Sequence, residues 1–272
     1  ILAVLLVGGG LSIAGAAYQG MFKNPMVSPD ILGASAGAGF GACLAMLMEL
    51  PTVYVQMFSF CGGILAVFIA ATATRRFSMD PILGLVLGGM MVSTLFQSGT
   101  STIKILADAD NKLPQITFWL MGSFNVMNKA KLFSILIPIG AGFLILFLVR
   151  WQLNVLSFGE DEASSLGIKT KRIRSMVIIA STLITASCVS VCGMVGWVGL
   201  VIPHAGRALA GPDYRRLLPV CAILGSTFLL LVDDVARTAF MVELPIGILT
   251  SFIGVPFFMF IFKSGVNKGG SA

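Results

Sequence analysis

The chain has 272 residues, 57% of them hydrophobic and only 11% charged, and its mean hydropathy is +0.95. Soluble domains carry about a quarter charged residues, so a water-soluble fold is excluded and a polytopic membrane protein is implied. The formal charge of +6 does not point to nucleic acid, because the basic residues stand singly or in small groups at the ends of apolar runs, where they anchor spans at lipid headgroups.

The first apolar run covers residues 1–22, and its Gly8, Ser12 and Gly15 form a ridge of small residues suited to close helix contact. A loop with Pro25 and Pro29 leads to a run at 31–48, where Gly33, Gly37 and Gly41 make a second ridge with GxxxGxxxG spacing. Runs at 53–74 and 81–103 follow. Residues 113–125 are too short to span and carry Trp119, which predicts an interfacial helix on the outer face. After a run at 130–149 comes a charged island, SFGEDEASSLGI at 157–168, and then apolar residues resume. As a single helix, residues 175–202 would measure about 42 Å against a hydrocarbon core of about 30 Å. A break is therefore expected near Gly193, Gly196 and Gly199, giving runs at 175–195 and 198–210, the second a part-depth helix. Runs at 217–235 and 245–262 bring the expected total to about nine spans in one transmembrane domain over 1–268. The tail at 269–272, GGSA, reads as a linker.

The island lies between two spans, so it belongs at a membrane face. Arg150, Lys169, Lys171, Arg172 and Arg174 flank it, and short loops rich in Lys and Arg stay in the cytoplasm, which makes 156–174 a cytoplasmic segment. On that topology only Lys104, Lys112, Lys129, Lys131 and Arg237 of the 18 basic residues fall outside. The odd span count puts residue 1 outside, and the chain opens directly in an apolar helix without Met, so one more upstream span is expected.

Few residues carry chemistry. Cys43, Cys61, Cys188, Cys192 and Cys221 all sit in apolar runs without CxxC spacing and read as packing residues. Cys188 and Cys192 are one helical turn apart but have no third ligand near in sequence, so no metal and no cofactor are expected. Residues 33–37 match GxSxG, yet that motif needs a strained strand-to-helix turn, so Ser35 reads as a small residue in a helix. His204, the single histidine, follows Pro203 at the end of the short helix and reads as an interfacial residue. No GxxxxGK[ST] loop is present, so any use of ATP belongs to a partner. Asp233 and Asp234 close a span, and Arg237 stands four and three residues on, where an intrahelical ion pair satisfies them better than a proton relay would.

Six segments together resemble one family over nearly the whole chain. They are LSIAGAAYQGMFKNPMVSPD at 11–30, the glycine ridge at 31–41, FGEDEASSLG at 158–167, GWVGLVIPHAGR at 196–207, GPDYRRLLP at 211–219 and ELPIGILTSFIGVPFF at 243–258. The chain resembles the transmembrane permease of the ABC importers for iron-siderophores, haem and cobalamin, the ten-helix class, with the first helix absent. Two residues depart from the family pattern, Asp234 where an apolar residue is usual and Ser164 where Arg is common.

The resemblance implies a non-enzymatic permease in the bacterial cytoplasmic membrane. It implies a second copy in a homodimer, two cytoplasmic ATPase subunits and an extracytoplasmic binding protein as partners. ATPase coupling falls to Phe158, Gly159, Glu160, Asp161, Glu162, Leu166 and Gly167, expected as one short helix with its carboxylates in the first turn. The cytoplasmic gate falls to Asn24 and Met26 with Ser78, Met79 and Asp80, and docking of the binding protein to Arg237. The pathway follows the spans at 81–103 and 245–262, whose Gly84, Gly88, Ser93, Gly247, Thr250 and Gly254 are small and uncharged. A charge-free pathway suits a bulky chelate better than a bare ion. The run ADADNKLPQITFWLMGS at 107–123 is similar to that of iron-complex members, ahead of cobalamin ones. Two other readings stand beside this one. A secondary transporter requires ionisable residues near the midplane, and an intramembrane serine protease requires Ser35 within reach of His204.

Overall fold

A computed structural model describes residues 1–74, 81–125, 127–239 and 243–269, the side chains of 74, 160 and 260–269 excepted. The helices are α1 Leu2–Met21, α2 Ala34–Leu47, α3 Thr52–Thr74, α4 Pro81–Leu106, α5 Lys112–Met121, α6 Lys129–Leu148, α7 Arg150–Phe158, α8 Glu160–Ser165, α9 Thr170–Cys192, α10 Val198–Ala210, α11 Tyr214–Thr238 and α12 Ile246–Gly269. Six of them, α1, α3, α4, α6, α9 and α11, are long and apolar enough to cross a membrane. The shorter apolar helices α2, α10 and the first part of α12 account for the rest of the expected spans.

Two helices form the centre. The most apolar window of α1 is 83% buried and that of α9 is 72% buried, against 22–33% for α3, α4, α6 and α11. Small residues explain the position of α1. Lipid tails are as apolar as leucine, so helices associate in a bilayer by close van der Waals fit, which small residues permit. A side chain on Gly15 would collide with the carbonyl oxygen of Gly199 in α10, and one on Gly37 with that of Gly62 in α3. Both ridges read from the sequence thus lie at helix crossings. The outward faces carry Phe68, Phe133, Ile137 and Ile223, all exposed, as a bilayer-facing surface requires.

The break between α9 and α10 falls in the glycine-rich stretch, with Gly193 at φ 75° and Trp197 at φ 68°. Elsewhere the boundaries differ for tertiary reasons. Expected to run to 125, α5 stops at Met121 because Gly122, at φ 81°, turns into long-range pairing. Ser123 N–H donates to the Cys192 carbonyl and Ile246 N–H to that of Gly122. Helix α12 continues to Gly269, into the stretch expected as linker, and 270–272 lie outside the described residues.

Candidate translocation and coupling site

The charged island is two helices rather than one. Phe158 ends α7, Gly159 sits between in extended backbone, and α8 holds only six residues. Its C-terminus closes as a Schellman motif: Ile168 N–H donates to the Ala163 carbonyl at 3.0 Å and Gly167 N–H to that of Ser164 at 2.9 Å. Gly167 takes φ 76°, the left-handed conformation this motif requires. Ala163 is fully buried and fixes α8 to the bundle, while Phe158 is 79% and Leu166 64% exposed. Asp161 and Glu162 are exposed beside them in the first turn, and Gly159 is buried. The result is a short segment at the basic end of the bundle that exposes two large apolar side chains, Phe158 and Leu166, and two carboxylates, Asp161 and Glu162.

This segment is braced from below. Asn154 on α7 donates from Nδ2 to Asp213 Oδ1 at 2.6 Å and accepts from Tyr214 N–H at 2.8 Å. Asp213 also caps α11 by accepting from Arg215 N–H at 2.9 Å. That backbone bond, then Asn154, holds the Asp213 carboxyl below the usual carboxylate range.

The first loop carries Asn24 and Met26, both exposed, with Met26 N–H donating to Asn24 Oδ1 at 2.9 Å. Ser78, Met79 and Asp80 lie outside the described residues. The loop is held from within by Gln19, only 2% exposed. Its Nε2 donates at 3.2 Å to the carbonyls of Val27 and Leu200, and its Oε1 accepts from Arg207 at 2.6 Å. Beyond Val27 the chain turns back into the bundle. Pro29 packs against Gly199, and Ile31 against Gly89 of α4. The Ser35 hydroxyl donates to the Asp30 carboxylate, tying this return to the start of α2.

The proposed pathway helices divide into packed and open faces. Gly84 and Gly88 are buried, and Ser93 faces Gly33. Thr250 is fully buried and donates to the Gly247 carbonyl at 3.1 Å, and Gly254 packs on Trp197. Gly247 lies in the wall of a cavity of about 680 Å³ with Met121, Met194, Ser251, Phe252 and Val255, and among the described residues no charged side chain lines it. The open face of α4 presents Met90, Met91 and Leu95. The small residues therefore set helix spacing, and larger apolar side chains border the open space.

At the other end Arg237 meets Asp233 at 3.0 Å, the pairing its spacing predicts, and also Glu243 at 3.6 Å. Glu49 and Lys112 pair at 2.6 Å on the same side. Among the described residues no cluster could hold a metal ion. The Ser35 hydroxyl is committed to Asp30 and the His204 ring lies edge-on to Phe258, so nothing in this geometry assembles the two into a nucleophile and base.

Residues 1–264 match the FecCD transport family. The chain belongs to that family. It is 40% identical over 273 residues to the molybdate import system permease protein MolB of Haemophilus influenzae, covering 99% of this chain and 80% of that one. It is 37% identical to a probable iron chelatin transport system permease protein of Helicobacter pylori, covering 96% of this chain and 79% of that one. Among solved structures it resembles a metal-chelate type ABC transporter in an inward-facing conformation, with a TM-score of 0.93, 38% identity, and coverage of 97% of this chain and 84% of that one.

On this FecCD scaffold the Asp233–Arg237 pair read from the spacing is present, and Phe158, Leu166, Asn24 and Met26 are exposed at the surface. Sequence reasoning missed Gln19, Asn154 and Glu243. Gln19 had one available signal, since an uncharged amide inside an apolar run needs several partners to be tolerated there.

Proposed function

We propose that this FecCD chain is the permease subunit of an ABC importer, paired with a second copy and driven by two cytoplasmic ATPase subunits. Substrate arrives from an extracytoplasmic binding protein, and the assembly sits in the bacterial cytoplasmic membrane. The observation that carries this reading is the α8 segment. Around it stand two exposed apolar side chains, Phe158 at the end of α7 and Leu166 at the close of α8, with the exposed carboxylates of Asp161 and Glu162 between them in sequence, the form of surface that inserts into a groove on another protein. The chain itself contributes no reacting groups.

The cargo is a metal chelate. A cavity bordered by methionine, phenylalanine and small residues, with no fixed charge, accommodates a bulky amphipathic complex whose own ligands satisfy the metal. The identity shared with the Haemophilus molybdate permease favours a second cargo, a tetrahedral oxyanion. Proteoliposomes holding the permease and its ATPase, supplied with binding protein, distinguish the two. Uptake of radioactive iron as a ferric siderophore, with molybdate failing to compete, is the expected result. Uptake of molybdate with no uptake of any iron chelate would reverse the assignment.

A further inference from the structure

A groove of about 320 Å³ runs between α3 and α9 on the bilayer-facing side of the bundle. Its floor and walls include Phe68, Ala71, Thr72, Ser175, Ile179 and Leu183. Phe68 and Ile179 are 63% and 54% exposed, so the groove is open along its length. The hydroxyls in it are already satisfied. Thr72 donates to the Phe68 carbonyl at 2.8 Å, Ser175 to that of Lys171 at 3.0 Å, and Thr182 to that of Ile178 at 2.7 Å. Each bond lies within its own helix, so the groove offers hydrocarbon and no unmet donor to an occupant.

The turn of α9 just beyond the groove is cationic. Lys171, Ser175, Ile179 and Leu183 follow one another at i, i+4 spacing and share one face of α9, so Lys171 stands one turn past Ser175, and Arg172 is the next residue in that same turn. Both cations are exposed, and among the described residues neither is ion-paired. From Leu183 to Lys171 the helix rises about 18 Å, close to the roughly 15 Å of one leaflet's hydrocarbon, so the groove reaches from midplane to headgroup depth.

We propose that this groove is a binding site for one anionic phospholipid of the leaflet at the basic end of the bundle. One acyl chain lies along Leu183, Ile179 and Phe68, and the phosphate rests on Lys171 and Arg172. A zwitterionic lipid fits the same slot but gains less from two unpaired cations, so the site selects by headgroup charge.

The test is lipid titration of the detergent-purified chain by native mass spectrometry, with dioleoyl-phosphatidylglycerol and dioleoyl-phosphatidylcholine as probes. One phosphatidylglycerol should bind in clear preference to phosphatidylcholine. The double variant Lys171→Gln/Arg172→Gln should weaken it about thirty-fold, the ratio given by about 1 kcal/mol per cation. Ile179→Trp fills the slot and should weaken binding with both cations in place. Both substitutions are at exposed positions, so the fold is retained. Equal retention of the two lipids, or unchanged phosphatidylglycerol binding in both variants, overturns the proposal. So does efficient disulfide crosslinking of two Ile179→Cys chains, which would give the groove to a second copy.

Discussion

Arg207 Nη1 donates a 2.6 Å hydrogen bond to the side-chain oxygen of Gln19, 188 residues away in sequence. The amide nitrogen of Gln19 is spent on the Val27 and Leu200 carbonyls. One buried amide thus joins α1, the first loop and α10. Gln19→Leu keeps the volume but removes the buried partner of the Arg207 guanidinium and of the Val27 and Leu200 carbonyls. The expected cost is about 3 kcal/mol, measured as a loss of unfolding free energy in detergent. Arg207→Ala should cost less, because Gln19 retains its two carbonyl partners.

Gly167 closes α8 in the left-handed region, where a branched side chain is strained by about 1–2 kcal/mol. Gly167→Val should leave the bundle folded and lower permease-stimulated ATP hydrolysis, because the Leu166 side chain loses its position. Gly167→Asn, which tolerates that backbone region, should retain most of the stimulation. Equal hydrolysis in all three forms would remove α8 geometry from coupling.

Asp213 has a carboxyl held below its ordinary value by Arg215 N–H and Asn154. A group whose folded pKa is depressed contributes stability above the unfolded value, near 4, and that contribution fades as pH falls through the lower folded value. Thermal stability should therefore drop on acidification below about pH 4. In Asp213→Asn that part of the slope should disappear, and the pH profile of the melting midpoint is the measurement.

Arg237 is shared between Asp233, only 5% exposed, and Glu243. Its side chain is still 38% exposed, and under the proposed function that face is where a carboxylate of the binding protein would meet it. An exposed ion pair contributes about 0.2–1 kcal/mol, so Arg237→Gln should weaken association by at most about five-fold at low ionic strength. The difference should vanish in high salt. Unchanged affinity at low ionic strength would end the docking role.

Much of this architecture is visible in the residue pattern because bilayer physics is restrictive. Apolar runs must be helices, and glycine at four-residue spacing must mark a crossing, so Gly37 on Gly62 and the break after Cys192 are legible. What stays hidden depends on partners distant in sequence. Asn154 looks like an ordinary polar residue in RWQLNVLSF until the fold places Asp213 beside it. The small residues of α4 and α12 likewise suggest an open wall, but only packing shows that Gly84, Gly88 and Gly254 lie inside the chain. Period and composition encode a helix's class, not which of its faces finds a neighbour.

The central claim is that α8 is the handle by which an ATPase drives this permease. Permease-stimulated ATP hydrolysis and substrate uptake, measured together in proteoliposomes for the wild type and for Phe158→Ala/Leu166→Glu, test it most directly. Both side chains are exposed, so the variant should fold and insert normally. The account predicts that it neither retains its ATPase on purification nor takes up substrate with ATP. Full coupling in the variant, or uptake by the wild type that proceeds on an ion gradient without nucleotide, would contradict it.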